Sequence, residues 1–552
     1  MSARLRMLGL SFLAIAAAQP ARAQDTLSAR ARQLAAVGEF RQAASAWRLV
    51  LEAKPNDAAA LAGLVDALDA SGEWRTAIAP LDKLLELGTG DPVRLRQRGA
   101  YAAWSGDRKL GVELLRKALA ARPEDPATLA ALGEVLSWNP ATRQEAGKDF
   151  RAALARDPEN LTARVGLANL ASWSGQPRRA LAGYGAVLAQ HPDEPNALKG
   201  RGLAFNQLGY FGAAREPLSA AHQLAPEDPV TRNELARAKR ATASSGEVWG
   251  LGRRRQNQLD LYQATARATA AFGGLQLFGE YMRSEYRHSA PDFMANGFGG
   301  GIRFADRGFT LLAAGRMTSL DGLSPKQWDG NGSLGLRLFD GVAIQLAGSR
   351  TPVEETRRSV LGELDGGSLR GAVHANLARA TLILDNLPGP FDAEAAVYGG
   401  RYTGIGLEAN RRVGIDARAG IVLHRSQPWL RIGYGFSATR FDYNADLGQA
   451  TLATQRGGYF SPAAWWSHQG ILQLSQRLGS RIEWNADGRL GRQWVRQLDG
   501  QPSDSRNAAV ATSSLTLRLT PMFELETRFL YVNALDAFEM KELSAGLKLY
   551  LP

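Results

Sequence analysis

The residues best able to do chemistry in this 552-residue chain lie in its second half, and they are acids interleaved with arginines. Asp416 and Arg418, Glu483, Asp487 and Arg489, Arg518, and then Glu524, Glu526 and Arg528 are each spaced by even numbers within their own stretch. A pair of carboxylates such as Glu524 and Glu526 has the composition for acid–base work on a glycosidic bond. The regular interleaving with arginine favours a different reading, that of hydrated wall charges paired with one another. Gly330, Gly332 and Gly335 fit a dinucleotide-binding glycine pattern, but no strand–turn–helix surrounds them and they read as strand residues. The histidines (His191, His222, His288, His374, His424, His468) are scattered without metal-ligand spacing. Cysteine is absent, which removes thiolate metal sites, disulfides and cysteine nucleophiles. The expectation is therefore no catalytic constellation, no metal and no cofactor: a protein that is not an enzyme.

These charges are positioned by alternation. In Leu430, Ile432, Tyr434 and Phe436 every second residue is apolar, while Arg431, Gly433, Gly435 and Ser437 between them are polar or small. That is a strand with one face in lipid and the other in a wet lumen. Ile415, Ala417 and Ala419 repeat the pattern against Asp416 and Arg418, and Leu515, Leu517 and Leu519 against Thr516 and Arg518. Residues 246–552 divide into sixteen such strands, beginning near Gly246, Leu259, Leu275, Gly297, Phe309, Gln327, Gly341, Ser368, Phe391, Arg411, Pro428, Trp465, Arg481, Ala508, Met522 and Met540. Tight connections at Gly273-Gly274, 306–308, Asp340-Gly341, Ser426-Gln427, Gly479-Ser480 and Pro521 interleave with long ones around 289–296, 321–326, 354–366, 445–464 and 499–507. Short turns at one rim and long loops at the other predict a 16-stranded antiparallel transmembrane β-barrel with a water-filled lumen. Trp249, Trp328, Trp429, Trp465, Trp466, Trp484 and Trp494 fall near strand ends, as interfacial girdle residues would.

The first half is of another kind. Residues 1–23 have Arg4 and Arg6, an apolar run from Met7 to Ala18, and Ala21-Arg22-Ala23, the form of a secretory signal peptide. From 24 to 240 a period near 34 residues holds Gly38, Gly72, Gly106, Gly175 and Gly209 in phase with Pro55, Pro123, Pro158, Pro192 and Pro226. Helix, glycine turn, helix and proline stop describe about six tetratricopeptide repeats stacked as an α-solenoid. Asn139-Pro140 makes the fourth irregular. Trp104, Trp138 and Trp173 recur at one repeat position, either packed between repeats or facing a groove where sugar rings or a partner helix stack. A small polar stretch, 241–245, links solenoid to barrel, so the fold class is α + β multidomain. Lysine plus arginine exceeds aspartate plus glutamate by 66 − 54 = 12, but the arginines are dispersed and show no nucleic-acid patch. An even strand count puts both barrel ends at the short-turn rim, with the repeats in the periplasm and the barrel in the lipid of an outer membrane.

Phe441-Asp442-Tyr443-Asn444, followed by Arg456 and then Gly457-Gly458-Tyr459-Phe460-Ser461-Pro462, resembles a stretch in the C-terminal barrel of the outer-membrane subunit of bacterial cellulose synthase (BcsC-like). Arg350-x-Pro352-Val353, then Ser359-x-x-Gly362, is similar to a second stretch of that family. Arg456 and Ala463 stand where the family tends to have histidine and glutamine, and its repeat arrays are longer. The resemblance implies an exopolysaccharide export porin. Its partners would be the polysaccharide chain and periplasmic or inner-membrane synthase components, and the wall charges and the loop motif 457–462 would lie along the polymer path. Export of another polymer, such as an amino-sugar polysaccharide, stays open. So does a non-conducting envelope scaffold or surface receptor.

Overall fold

The computed structural model describes residues 26–88, 90–256, 259–287, 291–306, 308–321, 326–385, 389–424, 427–445, 452–496, 504–534 and 539–551. The signal-peptide expectation and the loop expectations at 322–325, 446–451 and 499–503 lie outside these residues. Two compact units are present, Met1–Leu170 and Ala171–Pro552.

Helical repeats begin with α1 (26–36) and continue as α2 (Phe40–Ala53), α3 (Ala58–Ala70), α4 (Trp74–Glu86), α5 (Pro92–Trp104), α6 (Arg108–Ala121), α7 (Pro126–Ser137), α8 (Arg143–Arg156) and α9 (Leu161–Trp173). The second unit carries α10 (Pro177–Gln190), α11 (Pro195–Gln207), α12 (Phe211–Leu224) and α13 (Pro229–Ala241). The first helices of most repeats start at an acid: the carboxylates of Asp57, Asp91, Asp125, Glu194 and Asp228 accept from first-turn amides. Proline at the next position in four of them is already set for helix and has no amide to orphan. The turn glycines hold φ between 76° and 101° at Gly38, Gly72, Gly106, Gly175 and Gly209, where a side chain is strained. At Asn139-Pro140 a 3-10 turn, Pro140–Thr142, replaces that glycine turn.

A second glycine position locks neighbouring helices together. A Cβ on Gly63 would strike the Trp47 ring, one on Gly166 the Phe150 ring, and one on Gly200 the Tyr184 ring. In each case the ring belongs to the second helix of one repeat and the notch to the first helix of the next. No helix among the described residues is long and apolar enough to cross a membrane.

The rest of the second unit is a sheet: β1 (Ser245–Arg255), β2 (Asp260–Phe272), β3 (Leu275–Arg287), β4 (Phe293–Asp306), β5 (Phe309–Leu320), β6 (Gln327–Phe339), β7 (Val342–Pro352), β8 (Glu363–Asp365), β9 (Ser368–Leu384), β10 (Phe391–Ile405), β11 (Asn410–His424), β12 (Trp429–Phe441), β13 (Ala464–Leu478), β14 (Ile482–Arg496), β15 (Asp504–Arg518), β16 (Phe523–Ala534) and β17 (Glu539–Tyr550). Sixteen of these form one antiparallel barrel; β8 pairs only with β9, so β7 bonds β9 directly. Closure runs from Ser245↔Tyr550 to Arg255↔Met540. Val248, Ile415, Leu472, Leu490 and Leu543 stand exposed on the outside, as lipid-facing residues do.

Three expectations are corrected. Trp249, Trp429 and Trp465 turn inward: Trp249 lies over Gly546, Trp429 shares a cavity with Arg431, and the Trp465 indole donates to Gln493 at 3.0 Å. Nearness to a strand end sets depth, whereas the parity of the position sets the face. The stretches 293–296 and 504–507, expected as loop, are strand: Tyr286 and Phe293 stack with centroids 4.7 Å apart across β3 and β4, and 504–507 pair with 492–495 of β14. The expected loop 354–366 contains β8 and a short helix, α14 (Arg357–Leu361), started by a capping box between Thr356 and Ser359.

The last repeats rest on the short-turn rim. Gln176, at the start of α10, makes no side-chain cap; instead the amides of Arg178 and Arg179 donate to the Asp340 carboxylate at 3.1 and 3.4 Å. The Arg178 guanidinium also donates to the Arg337 and Leu338 carbonyls at 2.6 and 3.0 Å.

Two outcomes follow for the solenoid. Gly200→Ala forces the Tyr184 ring aside and costs about 1 to 3 kcal/mol, whereas Gly185→Ala, with open space around it, gains roughly 0.5 to 1 kcal/mol; chemical unfolding followed by circular dichroism separates them. The Asp149 carboxyl on α8 has one oxygen buried without a partner, and burial, with Glu145 nearby, pushes its pKa up to about 6. A raised carboxyl pKa favours the folded state below the unfolded value and loses that advantage as pH rises through about 6. Asp149→Asn should therefore flatten the fall in melting temperature between pH 4 and pH 7.

Candidate functional site: the barrel lumen

Alternation sends the even positions of β11, β15, β16 and β17, and the odd positions of β12 and β14, into the lumen. There Arg and Glu or Asp meet across strands. On one arc Lys548 and Arg267 share Glu247 (3.7 and 3.1 Å), Arg267 and Arg316 share Glu280 (2.6 and 3.7 Å), and Arg316 reaches Asp329 at 3.2 Å. On another, Arg379 binds Asp416 at 2.6 Å, Arg418 binds Glu394, and Arg431 holds Asp392 through Nε at 2.9 and 2.8 Å and Gln473 at 3.1 Å.

The nine wall residues expected from sequence all lie on this face. Asp416, Arg418 and Arg489 line one small cavity, and Arg489 is paired with Asp487 at 2.8 Å. Arg518 brings Glu483 (3.2 Å) and Glu524 (3.4 Å) together, and Glu526 is held by Arg528 at 2.6 Å. Glu524 also accepts from the Tyr550 hydroxyl at 3.2 Å. Each carboxylate of the nine thus has a cation beside it, and Glu524 and Glu526 are bound to different arginines rather than facing one another. Hydrated pairs of this kind contribute about 0–1 kcal/mol each, so their main effect is to cancel the wall's field.

Loops at the long-loop rim fold together. Tyr459 is buried and stacks on Tyr402, centroids 5.0 Å apart, and burial pushes its hydroxyl far above the usual range. Nearby Tyr443 is pushed up to about 12 by burial and by Glu408 and Asp442. Gly458, at φ 72°, accepts from the Thr356 hydroxyl at 2.8 Å; the Phe460 amide donates to Glu355 at 2.7 Å, and fully buried Ser461 accepts from the Ala445 amide at 2.6 Å. Gly457 and Pro462 are buried beside them. The 354–361 segment continues to the opposite wall: Glu354 takes Arg253 at 2.9 Å and the Tyr286 hydroxyl at 2.8 Å, while Val360 and Leu361 pack with Leu259, Leu261 and Phe293. Glu354, Glu355, Thr356 and Arg253 were not singled out by the sequence; Thr356-x-x-Ser359 was the one local signal available.

The repeat tryptophans have individual settings. Trp104 is 45% exposed and packs edge-on to Trp74 at 5.7 Å; Trp138 is partly buried against the core of its own unit; Trp173, 40% exposed, lines a cavity at the short-turn mouth of the barrel.

Residues 28–92 and 143–202 match tetratricopeptide repeat families. No curated protein matches the chain. Among solved structures it is similar to a bacterial polysaccharide outer membrane secretin (9% identity, covering 56% of this chain and 99% of that one, TM-score 0.43). It is also similar to a chain of the APC/C hetero-tetramer Cut9–Hcn1 (20% identity, 39% of this chain, TM-score 0.34), of which it spans 42%. A tetratricopeptide repeat protein from Parabacteroides merdae gives 16% identity over 40% of this chain and 86% of that one, with TM-score 0.33. Residues 241–516, half of the chain and nearly all of the barrel, match the C-terminus of cellulose synthase operon protein C, and the chain belongs to that family.

Proposed function

We propose that the barrel exports a neutral polysaccharide, a cellulose-like glucan, across the outer membrane. In this reading the repeats stand in the periplasm and receive the emerging polymer or dock the synthase components that make it. The observation that carries it is the charge-compensated wall. A polyanion moving through a pore is attracted by cations left free along the path. Here Arg267, Arg316, Arg418, Arg431, Arg489 and Arg518 are each committed to a carboxylate. Hydroxyl-rich neutral rings meet instead a surface of oriented donors and acceptors that can be exchanged as the chain slides. Family membership supports the polymer class, and the tethered loops 354–361 and 456–462 fit a mouth that is narrowed from within. Transport is driven by polymer synthesis elsewhere.

A chain lacking residues 246–552 should abolish surface polymer while leaving synthesis intact; continued secretion would overturn the export reading. In planar bilayers the wild type should conduct with a reversal potential near zero across a salt gradient. Arg418→Gln with Arg489→Gln releases Glu394 and Asp487, and the reversal potential should shift toward cation selectivity. A barrel sealed even after removal of 354–361 would favour the non-conducting scaffold. Replacing Thr356 by Val and Glu355 by Ala removes two tethers of the 456–462 loop, and cleavage by trypsin at exposed Arg456 should quicken by roughly tenfold, the effect of about 1.4 kcal/mol of lost hydrogen bonding.

A further inference from the structure

At the short-turn mouth of the barrel a cavity of about 570 Å³ lies between the last repeats and the wall. That size suits a small ligand. Two tryptophans from separate elements line it: Trp173, which ends α9, and Trp429, which opens β12. Gln207, at the end of α11, brings an amide whose oxygen accepts from the Ser172 hydroxyl at 3.2 Å, and the Gln473 amide on β13 is fixed between Arg431 and Asp487. Arg431 is 5% exposed and its charge is spent on Asp392 and Gln473, so the polar part of the cavity is ordered by an internal ion pair. Arg418 and Glu394, also on its lining, carry the cavity on into the lumen wall.

This combination is specific in its chemistry. Flat apolar rings beside planar amides and a carboxylate suit a pyranose, whose C–H faces stack on aromatics while its equatorial hydroxyls take paired hydrogen bonds. A polyanion finds no uncommitted cation in Arg431, and an apolar helix would leave that buried ion pair facing a surface unable to bond it. Trp173 also departs from its counterpart Trp138. The same repeat position is packed into a core in one case, and in the other presents its indole to a cavity beside the barrel mouth.

We propose that this cavity is an entrance subsite that holds one or two pyranose units of a neutral β-glucan as the polymer passes from the repeats into the lumen, with Trp173 and Trp429 as its stacking surfaces. The proposal rests on the export reading above and adds a position and a residue set to it.

The test is calorimetric titration of the full chain in detergent with soluble β-1,4-linked gluco-oligosaccharides, and in parallel with oligouronides of the same length. Wild type should bind the neutral oligosaccharide and bind the charged one at least tenfold more weakly. Trp429→Ala and Trp173→Ala should each lower affinity for the neutral oligosaccharide tenfold or more, Trp429→Phe should recover most of it, and Trp104→Ala should leave it unchanged. Heat-dependent gel migration checks that each variant retains a folded barrel. Equal binding by the Trp173→Ala, Trp429→Ala double variant, no binding by wild type, or equal affinity for oligouronides each overturns the subsite. The export reading would still be decided separately, by secretion from the chain lacking its barrel.

Discussion

No backbone amide or carbonyl can be left unpaired in hydrocarbon, where each costs several kcal/mol, and the rest of this molecule follows from that constraint. It makes the β1–β17 seam obligatory, from Ser245↔Tyr550 to Arg255↔Met540. Closure then divides every strand between two solvents by parity alone. Leu543 and Leu547 go outward and Glu542 and Lys548 inward on the same strand. A lumen built this way collects many charges at close quarters, and their mutual cancellation is what makes the wall compatible with a polar path instead of a strongly selective ion field.

The solenoid answers a different requirement. Each helix pair has too little apolar face to fold alone, so stacking must be dense, and large rings seated on glycine give that density: Trp47 on Gly63, Phe150 on Gly166, Tyr184 on Gly200. These are sterically exact contacts between successive repeats, repeated through the array, while the polar helix surfaces between them remain free to vary. Glycine serves two purposes in solenoid and barrel alike, admitting a ring (Gly200 under Tyr184, Gly546 under Trp249) and permitting a left-handed turn. At the Gly458 turn the left-handed backbone presents a carbonyl to Thr356.

Much of the barrel was legible because period-two alternation is a direct imprint of its two solvents. Strands expected at Leu275, Phe309, Gln327, Ser368 and Phe391 begin there, and all nine expected wall charges share the lumen face. What alternation cannot encode is contact between distant segments. Thr356 meets Gly458, 102 positions away, and Glu355 meets Phe460 at 105, so in sequence the docked loops are two separate connections. Trp249 and Trp429 turn inward against expectation because nearness to a strand end says how deep a ring sits and only parity says which way it points. The cavity around Trp173 needed the rim and the repeats together, and neither stretch shows it alone.

The bond from Asp340 to the amides opening α10 has a consequence for where this protein can be cut. The linker at 242–244 separates helix from strand in sequence, yet severing it would leave α10 with a bare amino-terminal turn and Arg178 with no carbonyls to grip. Residues 177–241 are therefore a collar belonging to the pore. A fragment meant to hold a self-sufficient barrel keeps α10 and its contact with Asp340 instead of starting at the linker.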